Sequence, residues 1–252
     1  MYALRQLRKV TSKSATRALD VLALFGDEQV RLRAKQVAIA LDLKPSSVDL
    51  LLKTMVFSGY LIFDPISKEY EPSPKLVKFA SFLENKLYWS SERISGVLSE
   101  LRDRTGALAS ISLRNGDFMC VVDAQKAEDV DYGAAFTLGY PLDGISGQTL
   151  LSVYEEEDVR RILDHAERYR HLRRDWPSRL LPAIRETTAR GFAFGETYSP
   201  LYWSASAPVF LPSGGVNRIA VISASGAKDY IQPRREAIIS ETRRLAGELT
   251  GA

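Results

Sequence analysis

The clearest alternation of apolar and polar positions runs from Arg33 to Phe57. Across Pro45–Phe57, the residues Val48, Leu51, Leu52, Met55 and Val56 recur at the i, i+3, i+4, i+7, i+8 spacing of a helix buried along one side. The opposite side carries Ser46, Ser47, Lys53 and Thr54, small and polar groups suited to a DNA groove. A shorter set, Val37, Ala38 and Leu41, marks a preceding helix over Ala34–Leu41. Asp42-Leu43-Lys44 joins the two, and Pro45 takes the first helical position, where a missing N–H costs nothing. Taken alone, this stretch fits a helix-turn-helix and an ordinary packed helix pair equally well.

The flanking pattern favours the first. Upstream, Ser14 caps an expected helix through Phe25, with Ala18, Leu22 and Phe25 on one face, and Leu32 starts a short strand. Downstream, Ser58-Gly59 is a helix stop. Tyr60–Phe63 and Glu69–Glu71 then read as strands on either side of the turn Asp64–Lys68. Three helices followed by a hairpin make a winged helix-turn-helix domain, expected over residues 1–73. Residues 1–13, with Arg5, Arg8, Lys9 and Lys13, are either a basic arm or an ordinary frayed terminus.

Pro72-Ser73-Pro74 marks a boundary. Beyond it, Leu76, Val77, Phe79, Ala80, Phe82 and Leu83 give a linker helix, residues 74–89, apolar over a wide arc. Either a second copy of the helix or the rest of its own chain would cover that arc. Residues 90–252 read as an α+β domain. Helices are expected at Ser91–Thr105, Ser146–Tyr154, Glu155–His165, Trp176–Arg190 and Pro233–Leu249. Strands are expected at Leu108–Leu113, Phe118–Asp123, Val130–Leu138, Phe192–Thr197, Ala205–Phe210 and Arg218–Ser223, with Gly139–Gly144 as a loop.

Composition narrows the class. An apolar fraction of 45% in 252 residues builds packed cores and leaves room for two domains. No run approaches the roughly 18 apolar residues of a membrane span, and the first ten residues lack the apolar core of a signal peptide. A single cysteine, Cys120, excludes an internal disulfide framework. A soluble, cytoplasmic protein with no membrane partner is expected. The net charge of +3 divides unevenly: residues 1–80 hold 13 Lys/Arg against 8 Asp/Glu, and the remainder holds 21 against 23. A basic head on a near-neutral body suits a polyanion partner, and a solvated basic surface has the same balance.

Catalytic chemistry finds little support. His165 and His171 lie in a charged helical segment away from any nucleophile motif and are expected to be solvated. Gly144-Ile145-Ser146-Gly147 is not a nucleophile elbow, and no phosphate-loop, dinucleotide or zinc-protease signature occurs. Cys120 reads as a core residue. The expectation is no enzyme activity, no metal and no cofactor.

Several of these segments carry a family pattern. The amino-terminal part includes Arg17-Ala18-Leu19-Asp20-Val21-Leu22, the helix-turn-helix and Gly59-Tyr60-Leu61. The carboxy-terminal part includes Gly139-Tyr140-Pro141-Leu142, Gly147, Leu150-Leu151, Gly191-Phe192, Ala207-Pro208-Val209-Phe210 and Ala220–Gly226. In this order and spacing the chain resembles the IclR family of bacterial transcription regulators. The resemblance implies a winged-helix DNA-binding domain, a linker helix and a GAF-like effector-binding domain, assembled as a homodimer or a dimer of dimers.

The resemblance implies a double-stranded DNA operator as one partner and a small-molecule effector as another. The DNA-binding set it implies is Arg17, Arg33, Lys44, Ser46, Ser47, Asp49, Leu50, Lys53 and Lys68. The chain departs from the pattern at Asp42, where a turn glycine is common, and at Asp49-Leu50, where polar or cationic groups are common. Leu50 lies about 200° around the helix from Val48, so it faces outward, where a thymine methyl is a possible contact. For the effector, the implied residues are Ser146, Gly147, Glu196, Ser204, Ser223 and Ser225. Helix amides with hydroxyls favour an organic or aromatic acid. The expected function is therefore an effector-controlled, sequence-specific DNA-binding regulator. The alternative is a ligand-sensing or interaction module whose winged helix has lost DNA binding.

Overall fold

The computed structural model describes residues 12–25, 31–78, 80–81, 91–126, 140–168, 175–197, 201–213 and 216–251. The chain divides near Lys86 and Leu87 into two compact units, each with its own core. Its class is α+β. Among the described residues, no helix is long and apolar enough to cross a membrane.

In the amino-terminal unit, α1 (Lys13–Ala23), β1 (Leu32–Arg33), α2 (Ala34–Ala40), α3 (Pro45–Phe57), β2 (Leu61–Asp64) and β3 (Glu69–Pro72) follow the expected order. Helix α1 starts after Ser12 rather than Ser14 and stops short of Phe25. The three strands form one antiparallel sheet in the order β1-β3-β2, with Phe63 opposite Tyr70. Val21, Leu32, Val37, Val48, Leu52, Met55, Leu61 and Tyr70 make the core, so every element contributes to it. This core fixes the roll of α3, because Val48 and Leu52 are fully buried.

The turn between α2 and α3 closes as a Schellman motif. The Leu43 N–H donates to the Ala38 carbonyl at 3.0 Å and the Asp42 N–H to that of Ile39 at 3.3 Å. Asp42 therefore sits in the left-handed region, φ 50°, where a glycine would be unstrained. The same motif ends α3, and there the left-handed position is Gly59, φ 76°.

Residues 75–78 and 80–81 are helical, and the rest of the expected linker helix lies outside the described residues, as does the expected strand Val130–Leu138. The carboxy-terminal unit contains α4 (Ser91–Thr105), β4 (Leu108–Asn115), β5 (Phe118–Gln125), β6 (Tyr140–Pro141), α5 (Ile145–Leu151), α6 (Glu156–Arg168) and α7 (Trp176–Arg190). These are followed by β7 (Ala193–Glu196), β8 (Tyr202–Ser213), β9 (Val216–Ala227), α8 (Lys228–Ile231), a short 3-10 turn and α9 (Arg235–Thr250). The sheet is antiparallel in the order β6-β5-β4-β9-β8-β7. Segment Gly139–Gly144, expected as a loop, instead supplies β6, which pairs Tyr140 with Met119 and Pro141 with Phe118.

Strand alternation divides the sheet into two chemically different faces. One presents Ala109, Ile111, Ala205, Ala207, Val209, Ala220, Ile222 and Ala224 to Ile94, Leu98 and Leu101 of α4 and Ile238, Leu245 and Leu249 of α9. An ionic clasp at the surface joins these two helices: Arg244 of α9 reaches Glu100 of α4 at 2.6 Å and Glu241 at 2.9 Å. On the other face, Met119 and Val221 join a second cluster with Leu142, Leu150, Leu151, Leu163, Trp176, Leu180 and Ile184. That cluster belongs largely to α5, α6 and α7, so helices cover the sheet on both sides.

His165 is not simply solvated. Its Nδ1 lies 2.8 Å from Oδ1 of the largely buried Asp117, tying α6 to the β4–β5 turn. His171 lies outside the described residues.

Candidate functional site

The outward side of α3 is a single stripe. Ser46, Asp49, Leu50, Lys53 and Phe57 are all exposed, with Ser46 three and four residues before Asp49 and Leu50, Lys53 four and three after them, and Phe57 four beyond Lys53. Leu50 retains 69% of its surface and Phe57 95%, although both are apolar. The Lys53 ammonium donates to Asp49 Oδ2 at 2.8 Å, so the two charges on this stripe neutralise each other. The Asp49 hydrogen bond is the largest cause raising the Lys53 pKa. Behind the pair stands Tyr70 of β3, a core residue whose phenol is pushed up by burial first and by the Asp49 charge second. Ser47 is also exposed, and Lys44 precedes the helix as its N-cap.

The remaining DNA-binding residues named from the sequence are spread over the unit. Arg17 is half-buried on α1. Arg33, at the start of α2, is exposed but has Nε 3.4 Å from Glu69 Oε1, and Arg31 pairs with Glu71 at 2.8 Å. Lys68 is exposed and takes a left-handed conformation, φ 58°, at the end of the wing turn. Asp64 builds that turn: its carboxylate accepts from the Ile66 N–H at 2.8 Å and the Ser67 hydroxyl at 3.1 Å. The Ile66 hydrogen bond is the main cause holding the Asp64 carboxyl below its ordinary value. Ile66 is consequently presented at the tip of the wing, 92% exposed.

In the carboxy-terminal unit, the register of β8 and β9 assembles hydroxyls on one side of the sheet. Ser204 pairs with Ser225 and Ser206 with Ser223. Ser206 and Ser223 have their oxygens 2.7 Å apart, and Ser225 donates to Ser204 at 2.9 Å. Ser146, on the first turn of α5, comes down onto this array with its oxygen 3.3 Å from that of Ser223. Ser110 of β4 pairs with Ser223 on the far side, and Ser112 pairs with Val221, so both lie on the same face. Ser204, Ser206, Ser223, Ser110 and Ser112 are all buried. Buried hydroxyls without partners would cost roughly 1–3 kcal/mol each. Here Ser146, Ser204, Ser206, Ser223 and Ser225 bond one another, and each hydroxyl, being donor and acceptor, can turn toward a further group.

Ser146, Ser204, Ser223 and Ser225 are thus brought together, and strand register adds Ser110, Ser112 and Ser206, which the family pattern does not imply. The Ser-Ala-Ser alternation of Trp203–Pro208 was the available sign of Ser206. Glu196 does not join them. Gly195 is the residue opposite Ser204, and Glu196 pairs with Trp203, which puts its side chain on the reverse face of β7. Gly147 is present for a steric reason: a Cβ there would stand 2.0 Å from the carbonyl oxygen of Leu142. Asp143 is engaged elsewhere, accepting from Arg179 of α7 at 2.8 Å. Cys120 is half-buried, and no cluster of His, Cys, Asp and Glu suited to a metal occurs among the described residues.

Residues 14–65 match the family model of the IclR helix-turn-helix domain, which covers the stretch from α1 to the wing turn. Over 245 residues the chain is 25% identical to the HTH-type transcriptional regulator BhcR of Paracoccus denitrificans, spanning 93% of this chain and 86% of that one. The chain thus carries an IclR-type helix-turn-helix domain and is similar to transcriptional regulators of the IclR family. A second relative is the HTH-type transcriptional regulator XynR of Escherichia coli K12, 29% identical over 104 residues, or 41% of each chain. The IclR fold extends through the serine-bearing unit. The crystal structure of an IclR homolog complexed with 4-hydroxybenzoate, from Microbacterium hydrocarbonoxydans, superposes with a TM-score of 0.59 at 17% identity, covering 95% of this chain and 98% of that one.

Proposed function

We propose that this chain is an IclR-type, effector-controlled DNA-binding regulator whose carboxy-terminal unit takes a small organic or aromatic acid against the serine-bearing face of its sheet. The hydroxyl array of Ser204, Ser206, Ser223 and Ser225, capped by Ser146, carries this reading. A core position filled by serine sacrifices apolar burial worth roughly 1.5–3 kcal/mol per aliphatic side chain. Concentrating such positions under one helix supports a polar ligand there. Carboxylate and phenol groups both bond well to hydroxyls. That the Microbacterium relative is complexed with 4-hydroxybenzoate supports the same chemical class. Because α5 is only seven residues long, the hydroxyls rather than its amide dipole are assigned the anion.

Thermal-shift titration of the full chain with benzoate, 4-hydroxybenzoate and aliphatic acids tests this. Stabilisation of about 2.7 kcal/mol is expected at a hundredfold excess over Kd, and it should weaken in Ser146→Ala and Ser225→Ala. If every acid leaves the melting temperature unchanged, the acid reading is wrong.

On the DNA side, the outward stripe of α3 is assigned to the major groove and the wing with Lys68 to the backbone. The Asp49–Lys53 pair also favours a second reading, in which neutralisation of the stripe has abolished DNA binding and left a sensor. A salt titration of binding to DNA from the protein's own upstream region separates the two. Specific binding with a steep salt dependence supports the regulator, and weak, sequence-indifferent binding supports the sensor. Self-association into a dimer or dimer of dimers is assigned on family grounds and is tested by light scattering.

A further inference from the structure

Two features of α3 remain unexplained by a general DNA-binding role: a carboxylate in the centre of its outward stripe, and an exposed leucine beside it. Phosphates repel a carboxylate, and water gains nothing from contact with Leu50. Both residues are nevertheless rigidly aimed. Val48 and Leu52 on either side are fully buried, so α3 cannot roll to hide Asp49 or Leu50. Lys53 restrains the carboxylate through Oδ2 at 2.8 Å, and among the described residues Oδ1 has no hydrogen-bond partner. A free acceptor oxygen and an apolar side chain therefore stand next to each other, separated by about 100° and 1.5 Å along the helix.

The major groove offers a best complement to each: its donors are adenine N6 and cytosine N4, and the N7 acceptor beside adenine N6 repels a carboxylate, which leaves cytosine. A pyrimidine presents a hydrogen-bond donor there only as cytosine N4, and the thymine C5-methyl is the groove's apolar group. We propose that Asp49 and Leu50 read a cytosine and a neighbouring thymine, with Lys53 positioning the Asp49 carboxylate and offsetting its charge among the phosphates. Because the pair carries no net charge, this contact selects sequence and adds little general affinity. Attraction to the backbone is left to Lys44 and Lys68. The inference rests on the DNA-binding reading above and adds the base class that the helix selects.

Selection of duplexes from a library with a randomised core, using the full chain, tests it. The wild-type consensus is expected to contain adjacent cytosine and thymine positions. Asp49→Asn exchanges an acceptor-only group for an amide, which pairs with adenine N6 and N7. Its consensus should therefore change from cytosine to adenine at that one position, by about fivefold or more in relative affinity. Leu50→Ala should relax the thymine position and leave the cytosine intact. Both side chains are exposed, so the variants should melt like the wild type. An unchanged consensus in both variants, or a uniform loss of affinity with the same consensus, overturns the base-reading roles while leaving DNA binding in place. If the wild type enriches no sequence at all, the DNA-binding reading fails and this inference fails with it.

Discussion

Ser206 and Ser223 face each other across β8 and β9 with their oxygens 2.7 Å apart, and both are buried. Neither would be stable there alone. Ser206 also lies 3.4 Å from Ser204, so it links the two cross-strand serine pairs into one chain of hydroxyls. Ser206→Ala is expected to lower stability by about 1 kcal/mol, because Ser223 loses its shortest contact. Urea unfolding monitored by circular dichroism measures it, and an unchanged midpoint would show that water replaces the lost hydroxyl.

Gly147→Ala should be far more damaging than its position on an ordinary helix implies. Alanine is normally the better helix former, by about 1 kcal/mol. Here its Cβ would stand 2.0 Å from a backbone oxygen of Leu142, which cannot swing aside like a side chain. A loss of about 1–3 kcal/mol or more is expected from the overpacking, with α5 displaced from the sheet. Thermal melting of the variant checks the sign: stabilisation would mean that the approach of Leu142 is easily relaxed.

Asp42 offers the opposite opportunity. It occupies the left-handed closing position of α2 at φ 50°, whereas Gly59 fills the equivalent place after α3. Asp42→Gly should stabilise the amino-terminal unit by about 0.5–1 kcal/mol, the relief of left-handed strain less the added chain entropy of glycine. Equilibrium unfolding decides it, and a destabilised variant would reveal a contact of the Asp42 carboxylate that matters more than the strain.

Acid should loosen the α4–α9 clasp. The hydrogen bond from Arg244 is the largest cause holding Glu100 below its ordinary pKa of 4.5, with burial opposing it and Arg104 adding to it. A carboxyl depressed in the folded state binds protons more readily once unfolded. The stabilisation is therefore complete above the unfolded value and disappears as pH falls through the folded one. Unfolding midpoints measured from about pH 5 downward should decline, and Glu100→Gln should flatten that decline. Equal slopes in the two proteins would remove Glu100 from the account.

Leu50→Arg adds a cation to the outward stripe of α3. Binding to DNA of unrelated sequence should tighten, with the slope of log K against log salt steeper by about 0.9, as for one added phosphate contact, while any preference for thymine opposite Leu50 is lost. An unaltered slope would put Leu50 outside the interface.

Much of this arrangement was visible in the sequence wherever apolar residues repeat with a clear period. Helix α3 and helix α7 begin and end where their spacing, their leading Pro45 and Trp176-Pro177, and their closing glycines indicate. The helix-turn-helix, the hairpin and the outward position of Leu50 follow from that same periodicity. Strands β8 and β9 were recognised only in their central portions, because Trp203-Ser204-Ala205-Ser206 alternates two small residues and gives no hydropathy signal. The two residues of β6 are too few to alternate at all. The family resemblance alone implies Glu196 beside the serines, and the parity along β7 that turns it away depends on pairing with β8, which the sequence does not contain. The contact between His165 and Asp117 joins residues 48 positions apart and left no local mark.

The alternation in β8 also constrains how this protein can change. Its even-numbered residues Ser204 and Ser206 face the hydroxyl array, while Ala205, Ala207 and Val209 face α4 and α9. Insertion or deletion of one residue before Ser204 would exchange the two sets, sending hydroxyls into the greasy layer and methyl groups to the face that now carries the serines. Point substitutions can retune the array one hydroxyl at a time, but its length register is closed to single-step drift. Among descendants of this chain, length variation should therefore be confined to the ends of β8 and β9, leaving the span from Ser204 to Val209 at constant length.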